Sequence, residues 1–457
     1  MKINREIKPS ANGEISFTLP ELDNFKLSSG LNVTLIKKDN LPIIHLNLLL
    51  NAGSKFDPEN KKGLAYLTSL VIDEGAAGLS SLEIDDEFET LGTIFRASTD
   101  SDLIYFSMLS LTDNFRKSVD LLAKIITKPD FNHSDFERER NKLLTKITQL
   151  RDDAGSIASL LFENLIYAPS FYAHPVIGKY DDVNSISRDE LLNFYSNYFC
   201  PSDSHLIVVG SISKRDLLNE LESNFSCWKN IGKTKASQLQ IAETSKKHLF
   251  ICNKEDAPQS ELRIGHLTNS RSHPDYFGKS ILNTILGGQF SSRLNHNLRE
   301  EKGFTYGVNS SFDYNKESGS FGIATAVKTE NTVDALNEIL IEMNRIKNDV
   351  TDEEVDFAKS YLIKRFPSLF QTNNQLSNNV MVLVSHNLPS DYFDRYLEMI
   401  EQCDTKTVLE MADKYLYPEN IVTVIVGNKN EILKSLDRIE WEQVTELDFE
   451  GNVIGSL

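Results

Sequence analysis

The sequence predicts an α+β protein of two homologous domains, each a mainly antiparallel sheet packed with helices. Three observations carry that expectation. The stretch Tyr198–Gly210 (YFCPSDSHLIVVG) lines up with Tyr415–Gly427 (YLYPENIVTVIVG), and both the prolines and the final glycines are 217 residues apart. Hairpin-like strand pairs followed by amphipathic helices occur twice in the same order. The chain's 457 residues also exceed the ~100–200 of one ordinary domain.

Each element follows from local chemistry. In the first copy, Gly92 to Leu111 reads as two strands, and Thr112 is expected to cap a helix with Phe115, Val119, Leu122 and Ile126 on one face. A further helix is expected from Ser134. In the second copy, Thr305 to Val327 holds the strands, Thr329 caps a helix with Val333, Leu336, Leu340 and Met343 on one face, and another helix starts at Thr351. In the repeated stretch a helix ends before Pro201 or Pro418, which cannot continue it, and a β-branched buried strand then runs to a glycine turn. Ser226 to Lys247 is polar and without a sustained apolar period, so it reads as the connection. The boundary is expected near residue 235, which gives domains 1–235 and 236–457.

Lys plus Arg number 48 against 66 Asp plus Glu, a net charge of −18. Such an acidic surface argues against a nucleic-acid partner and suits basic or unfolded peptides better. Cys200, Cys227, Cys252 and Cys403 show no C-x-x-C pairing and read as reduced thiols. The segment Met1–Pro9 has no apolar core of a signal peptide, and no apolar run approaches the ~18 residues of a membrane helix. A soluble chain is expected, cytoplasmic, or periplasmic if an export signal has been removed.

The segment Leu286–Gly307 (LGGQFSSRLNHNLREEKGFTYG) carries the clearest chemistry. It places Arg299 and Tyr306 across a helix end and a strand start, where a guanidinium and a phenol can bind a peptide carbonyl and steady a developing oxyanion. The structural alternatives are a favourable cation in a last helical turn and a half-buried strand tyrosine. Asp256–Ser260 before a strand and His273–Tyr276 opening a helix accompany it.

In that order these motifs resemble the C-terminal half of the pitrilysin, insulysin and mitochondrial processing peptidase family, the inverted zincins, whose zinc helix carries H-x-x-E-H. The resemblance runs from about Phe25 to Gly427. It implies that the first zinc histidine falls on Tyr66, the general-base glutamate on Ser69, the second histidine on Leu70 and the third ligand on Lys146. Tyrosine is a poor zinc ligand at neutral pH, leucine has no donor, serine cannot take the water proton unaided, and an ammonium repels the metal. Arg96 stands where the family's zinc half has asparagine, and Glu139 keeps an acidic residue two helical turns before the third ligand, read here as a solvated helix charge.

No metal is therefore expected in this chain, and zinc is expected in a partner. The resemblance implies a non-zinc subunit of a heterodimeric metalloendopeptidase that lends Arg299 and Tyr306 to a homologous H-x-x-E-H subunit, with extended peptides as substrates. The alternative is a catalytically inactive scaffold or peptide-binding protein of the same family.

Overall fold

The computed structural model describes residues 15–229, 232, 239–240 and 246–457; the expected boundary at residue 235 and the segment Met1–Pro9 lie outside them. Two sheets dominate. The first contains β1 (Asp23–Lys26), β2 (Asn32–Lys37) and β3 (Ile43–Leu50). After a small hairpin of β4 (Gly75–Ala76) and β5 (Leu79–Ser80) come β6 (Ile94–Thr99), β7 (Ile104–Leu111) and β8 (Ser204–Gly210). The second sheet contains β9 (His248–Asn253), β10 (Ser260–Thr268), β11 (Val308–Tyr314), β12 (Gly319–Val327), β13 (Val422–Gly427), β14 (Gln443–Leu447) and β15 (Val453–Ser456).

The orders are β1-β2-β8-β3-β7-β6 and β11-β12-β10-β13-β9-β14-β15. Reading the second from β9 gives β9-β13-β10-β12-β11, the same path as β2-β8-β3-β7-β6. The duplication seen at β8 and β13 thus extends to five strands in each half. All neighbours are antiparallel except β2 with β8, β13 with β9 and β14 with β9. The central strands β3, β8 and β13 are almost wholly buried, because both faces of each sheet are covered.

Covering those faces ties the halves together. The helix Ala154–Tyr167 comes from the first half but lies on β10 and β13, where Ile157, Leu161 and Phe162 pack with Phe250, Val422, Val424 and Val426. The helix Asn373–Ser385 comes from the second half but lies on β3 and β8, with Asn47 donating to Ser377 Oγ at 2.8 Å. Each half lends a helix to the other's sheet, so one cut in the sequence does not separate the two cores.

Two helix starts differ from expectation. Thr112 and Thr329 do not cap; each opens a 3-10 turn, Thr112–Asn114 and Thr329–Asn331. The helices Phe115–Thr127 and Thr332–Arg345 follow without a side-chain cap, because the tight turn carries the chain from strand to helix. The helix expected from Ser134 begins one residue earlier, as His133–Leu150. Thr351 does cap Asp352–Arg365, in a reciprocal pair with Glu354. Among the described residues, no helix is long and apolar enough to cross a membrane.

Candidate functional site

The helix Leu64–Val71 has no acceptor at its own N-cap, Gly63. The buried Asp57 supplies one, accepting from the Gly63 amide at 2.7 Å and the Ala65 amide at 2.8 Å. Burial pushes the Asp57 pKa up to about 7 against the pull of those amides and of Lys62. The helix so fixed packs against His133–Leu150, and this brings Tyr66 and Lys146 together. Lys146 Nζ donates to the Tyr66 hydroxyl at 2.8 Å and lies 5.3 Å from the ring centroid.

Ser69, one turn along, is buried; its Oγ donates to the Tyr66 carbonyl at 2.7 Å and accepts from Thr99 Oγ1 at 2.8 Å. Leu70 packs at the margin of the first-half core. Three of the four positions that the resemblance assigns to the zinc site therefore meet through hydrogen bonds, and the fourth is apolar. The set does not fit zinc. The phenol oxygen is engaged by an ammonium, leucine offers no donor, and two hydroxyls replace a base.

Glu139 corrects one expectation. It is only 6% exposed, not a solvated helix charge, and it accepts from Lys142 at 2.7 Å and Arg138 at 3.2 Å. Burial, with Glu139 close by, raises the Glu74 pKa, and burial pushes Asp73 up to about 7.

The second half presents its pair differently. Arg299 lies in a π-helical turn, His296–Glu301, whose Asn297 and Leu298 are buried. Its guanidinium stacks 4.3 Å from the Phe290 ring centroid and its Nε stands 3.7 Å from Glu300. Tyr306 is not a half-buried strand residue: it precedes β11 by two positions and is 94% exposed.

The loop beneath it is held firmly. Asn295 donates to the Val308 carbonyl at 2.8 Å and accepts from its amide at 3.2 Å. Thr305 Oγ1 donates to the Ala326 carbonyl at 2.8 Å, and Gly303 turns the chain at φ +66°. Gly287 lets the helix end approach β11, since a Cβ there would lie 2.5 Å from Ser310 Oγ. Arg299 and Tyr306 thus project from a rigid support.

Sequence reasoning missed Phe290, Thr99 and Asn295. Phe290 left a signal, as the one large apolar residue in a loop of Gly, Gln and Ser. Thr99 left none, because its bond to Ser69 depends on where β6 ends. Between the halves, the helix Ala154–Tyr167 and β11–β12 enclose a cavity of about 370 Å³ whose wall includes Asp100, Glu163, Tyr167, Arg263 and Asp313. Burial, reinforced by Asp313, raises the Glu163 pKa.

Comparison with known proteins identifies the family and the fold. Residues 32–174 match the family model described as Insulinase (Peptidase family M16), and residues 185–362 match Peptidase M16 inactive domain. An uncharacterized zinc protease of Rickettsia bellii is 23% identical over 423 residues, 91% of this chain and 95% of that protein. The human mitochondrial-processing peptidase subunit beta is 20% identical over 438 residues, 93% of this chain and 88% of that one. The crystal structure of a peptidase M16 inactive domain from Pseudomonas fluorescens has a TM-score of 0.83 at 27% identity, covering 89% of this chain and 98% of its own.

Proposed function

We propose, for a chain that belongs to the M16 family of insulinase-like peptidases, that it serves as the zinc-free subunit of a two-chain metalloendopeptidase. A homologous H-x-x-E-H chain would supply the metal and the general base. This chain supplies Arg299 and Tyr306. The observation that carries the reading is the pairing of a closed first site with an open second one: Lys146 is bonded to Tyr66, whereas Tyr306 stands 94% exposed on an anchored loop.

The roles follow from the chemistry of the side chains. The Tyr306 hydroxyl is a neutral donor that strengthens its bond as a peptide carbonyl oxygen becomes negative, so it favours the transition state over the bound substrate. Arg299, spread over the Phe290 ring, is a fixed cation that orients the peptide and adds to the same field. The wall between the halves sets three carboxyls, Asp100, Glu163 and Asp313, against the one guanidinium of Arg263, a balance that suits a peptide carrying positive charge.

Substitution in the mixed complex tests the assignment. Tyr306→Phe is expected to lower kcat by ~10²–10³ with little change in subunit affinity, and Arg299→Ala to raise KM as well. Near-normal kcat in both variants, with the complex intact, would leave the scaffold reading.

A further inference from the structure

We propose that Arg271, Tyr392 and His386 form a binding site for a small oxyanion, a carboxylate or a phosphate, beside the seam between the halves. This reading does not rest on the catalytic one. It starts from a cation without a counter-charge. Arg271 follows β10, in the turn before the helix Tyr276–Leu286, and its guanidinium is stacked 4.4 Å from the Tyr276 ring centroid and 5.9 Å from that of Tyr392. Its Nε is sealed from solvent without a hydrogen-bond partner, and among the described residues no carboxylate pairs with the guanidinium. The rings offset part of its desolvation but supply no oxygen to accept its N–H groups, and a buried cation left in that state is costly.

Two more polar atoms in this corner are orphaned. The Tyr392 hydroxyl and His386 Nδ1 are likewise sealed from solvent without a partner. Burial, and then Arg271, hold the His386 pKa down to about 4, so the ring is neutral at physiological pH and can place its one N–H on Nδ1. Lys316, in the turn between β11 and β12, is a second cation in the field of the same ring. The acid in that field, Asp102, is already committed. Its Oδ1 accepts from Lys55 Nζ at 2.8 Å and the Tyr172 hydroxyl at 2.9 Å, and its Oδ2 accepts from the Lys316 amide at 2.8 Å.

Each group left over can donate, and two of them are positively charged. A guanidinium fork for two oxygens, with a phenol and an imidazole beside it, is the donor set of an oxyanion site. In a chain of net charge −18 it is a local exception to the overall field. Arg271, Tyr392 and His386 are half-buried, so the site is not closed off. Tyr314, with its ring centroid 5.6 Å from that of Tyr276, also lines the cavity between the halves and joins the site to it. A purely structural role for Arg271, as a stacked cation, predicts no dependence on particular anions.

The test uses the whole chain, with isothermal titration calorimetry and thermal melting in sodium phosphate, acetate or chloride at matched ionic strength. Phosphate or acetate is expected to bind at one site per chain with a dissociation constant of about 1 mM or tighter and to raise the melting temperature, where chloride does neither. Tighter binding of phosphate assigns the site to phosphate groups, and tighter binding of acetate to carboxylates. Arg271→Gln should abolish the saturable binding. Tyr392→Phe keeps the ring beside Arg271 and removes the hydroxyl, so it should weaken binding roughly tenfold with an unchanged melting temperature in chloride.

Failure of phosphate and acetate alike to bind, an equal effect of chloride, or binding that survives Arg271→Gln would overturn the proposal. If Arg271→Gln does not fold, Tyr392→Phe decides the matter: unchanged affinity in that variant places the anion elsewhere and overturns the site.

Discussion

The two halves share a strand path, yet the residues singled out in each are held in opposite ways. In the first, Tyr66 and Lys146 are bonded to each other and Ser69 is tied to Thr99. In the second, Arg299 rests on an aromatic ring and Tyr306 reaches into solvent. A shared strand path therefore leaves the two halves free to treat the side chains beside it differently: one set is tied to itself, the other is presented outward.

The comparison breaks most visibly if the first site cannot be reopened. Because the Tyr66 and Lys146 tips already meet, the combined variant Tyr66→His, Ser69→Glu, Leu70→His, Lys146→Glu is expected to bind about one zinc per chain, against none for the parent. Metal analysis after gel filtration measures this. A folded variant without zinc would mean that the surrounding helices have drifted from ligand geometry.

The exchanged helices sharpen the comparison on the side of stability. Leu161→Ala and Leu376→Ala each remove a buried side chain from the opposite half's sheet, and each is expected to cost ~2–5 kcal/mol. Both should lower one shared melting transition rather than split it, since each core needs both halves. Calorimetry showing two separate transitions would contradict the interlocked arrangement.

A smaller effect is read by pH. Burial pulls the His266 pKa down from 6.5 to about 4. A depressed pKa contributes stability that is complete above the unfolded value and is lost as pH falls through the folded one. Between pH 6.5 and 4 the wild type should lose up to about 1.4 kcal/mol per pH unit relative to His266→Gln, which lacks that proton site. Parallel curves for the two proteins, from urea titrations across this range, would contradict it. Asp57 in the first half has the opposite sign, since its pKa is raised and the stability it contributes fades as pH rises through about 7.

Much of this was legible in the residues. The 217-residue spacing anticipated that β8 and β13 are equivalent, and the apolar spacing around Val119 and Val333 anticipated equivalent helices. The resemblance assigned Tyr66 and Lys146 to one site from separate helices, and the structure brings the two side chains to 2.8 Å. What could not be read was long-range. The helix Ala154–Tyr167 has an ordinary amphipathic pattern, and nothing in that pattern says which sheet receives it. Thr112 and Thr329 looked like caps because threonine favours that position, yet a tight turn took their place. The exposure of Tyr306 rests on a loop anchored by Asn295 and Thr305 to β11 and β12, partners that lie up to 21 residues away in sequence.

The most direct measurement of the central claim is a titration of this chain into a homologous H-x-x-E-H chain, with peptide hydrolysis followed at each ratio and assembly followed by light scattering. The account predicts negligible turnover by this chain alone, full turnover at one-to-one stoichiometry, and a complex whose activity collapses with Tyr306→Phe while its mass does not. Full activity of the zinc-bearing chain by itself, unchanged as this chain is added, would contradict it.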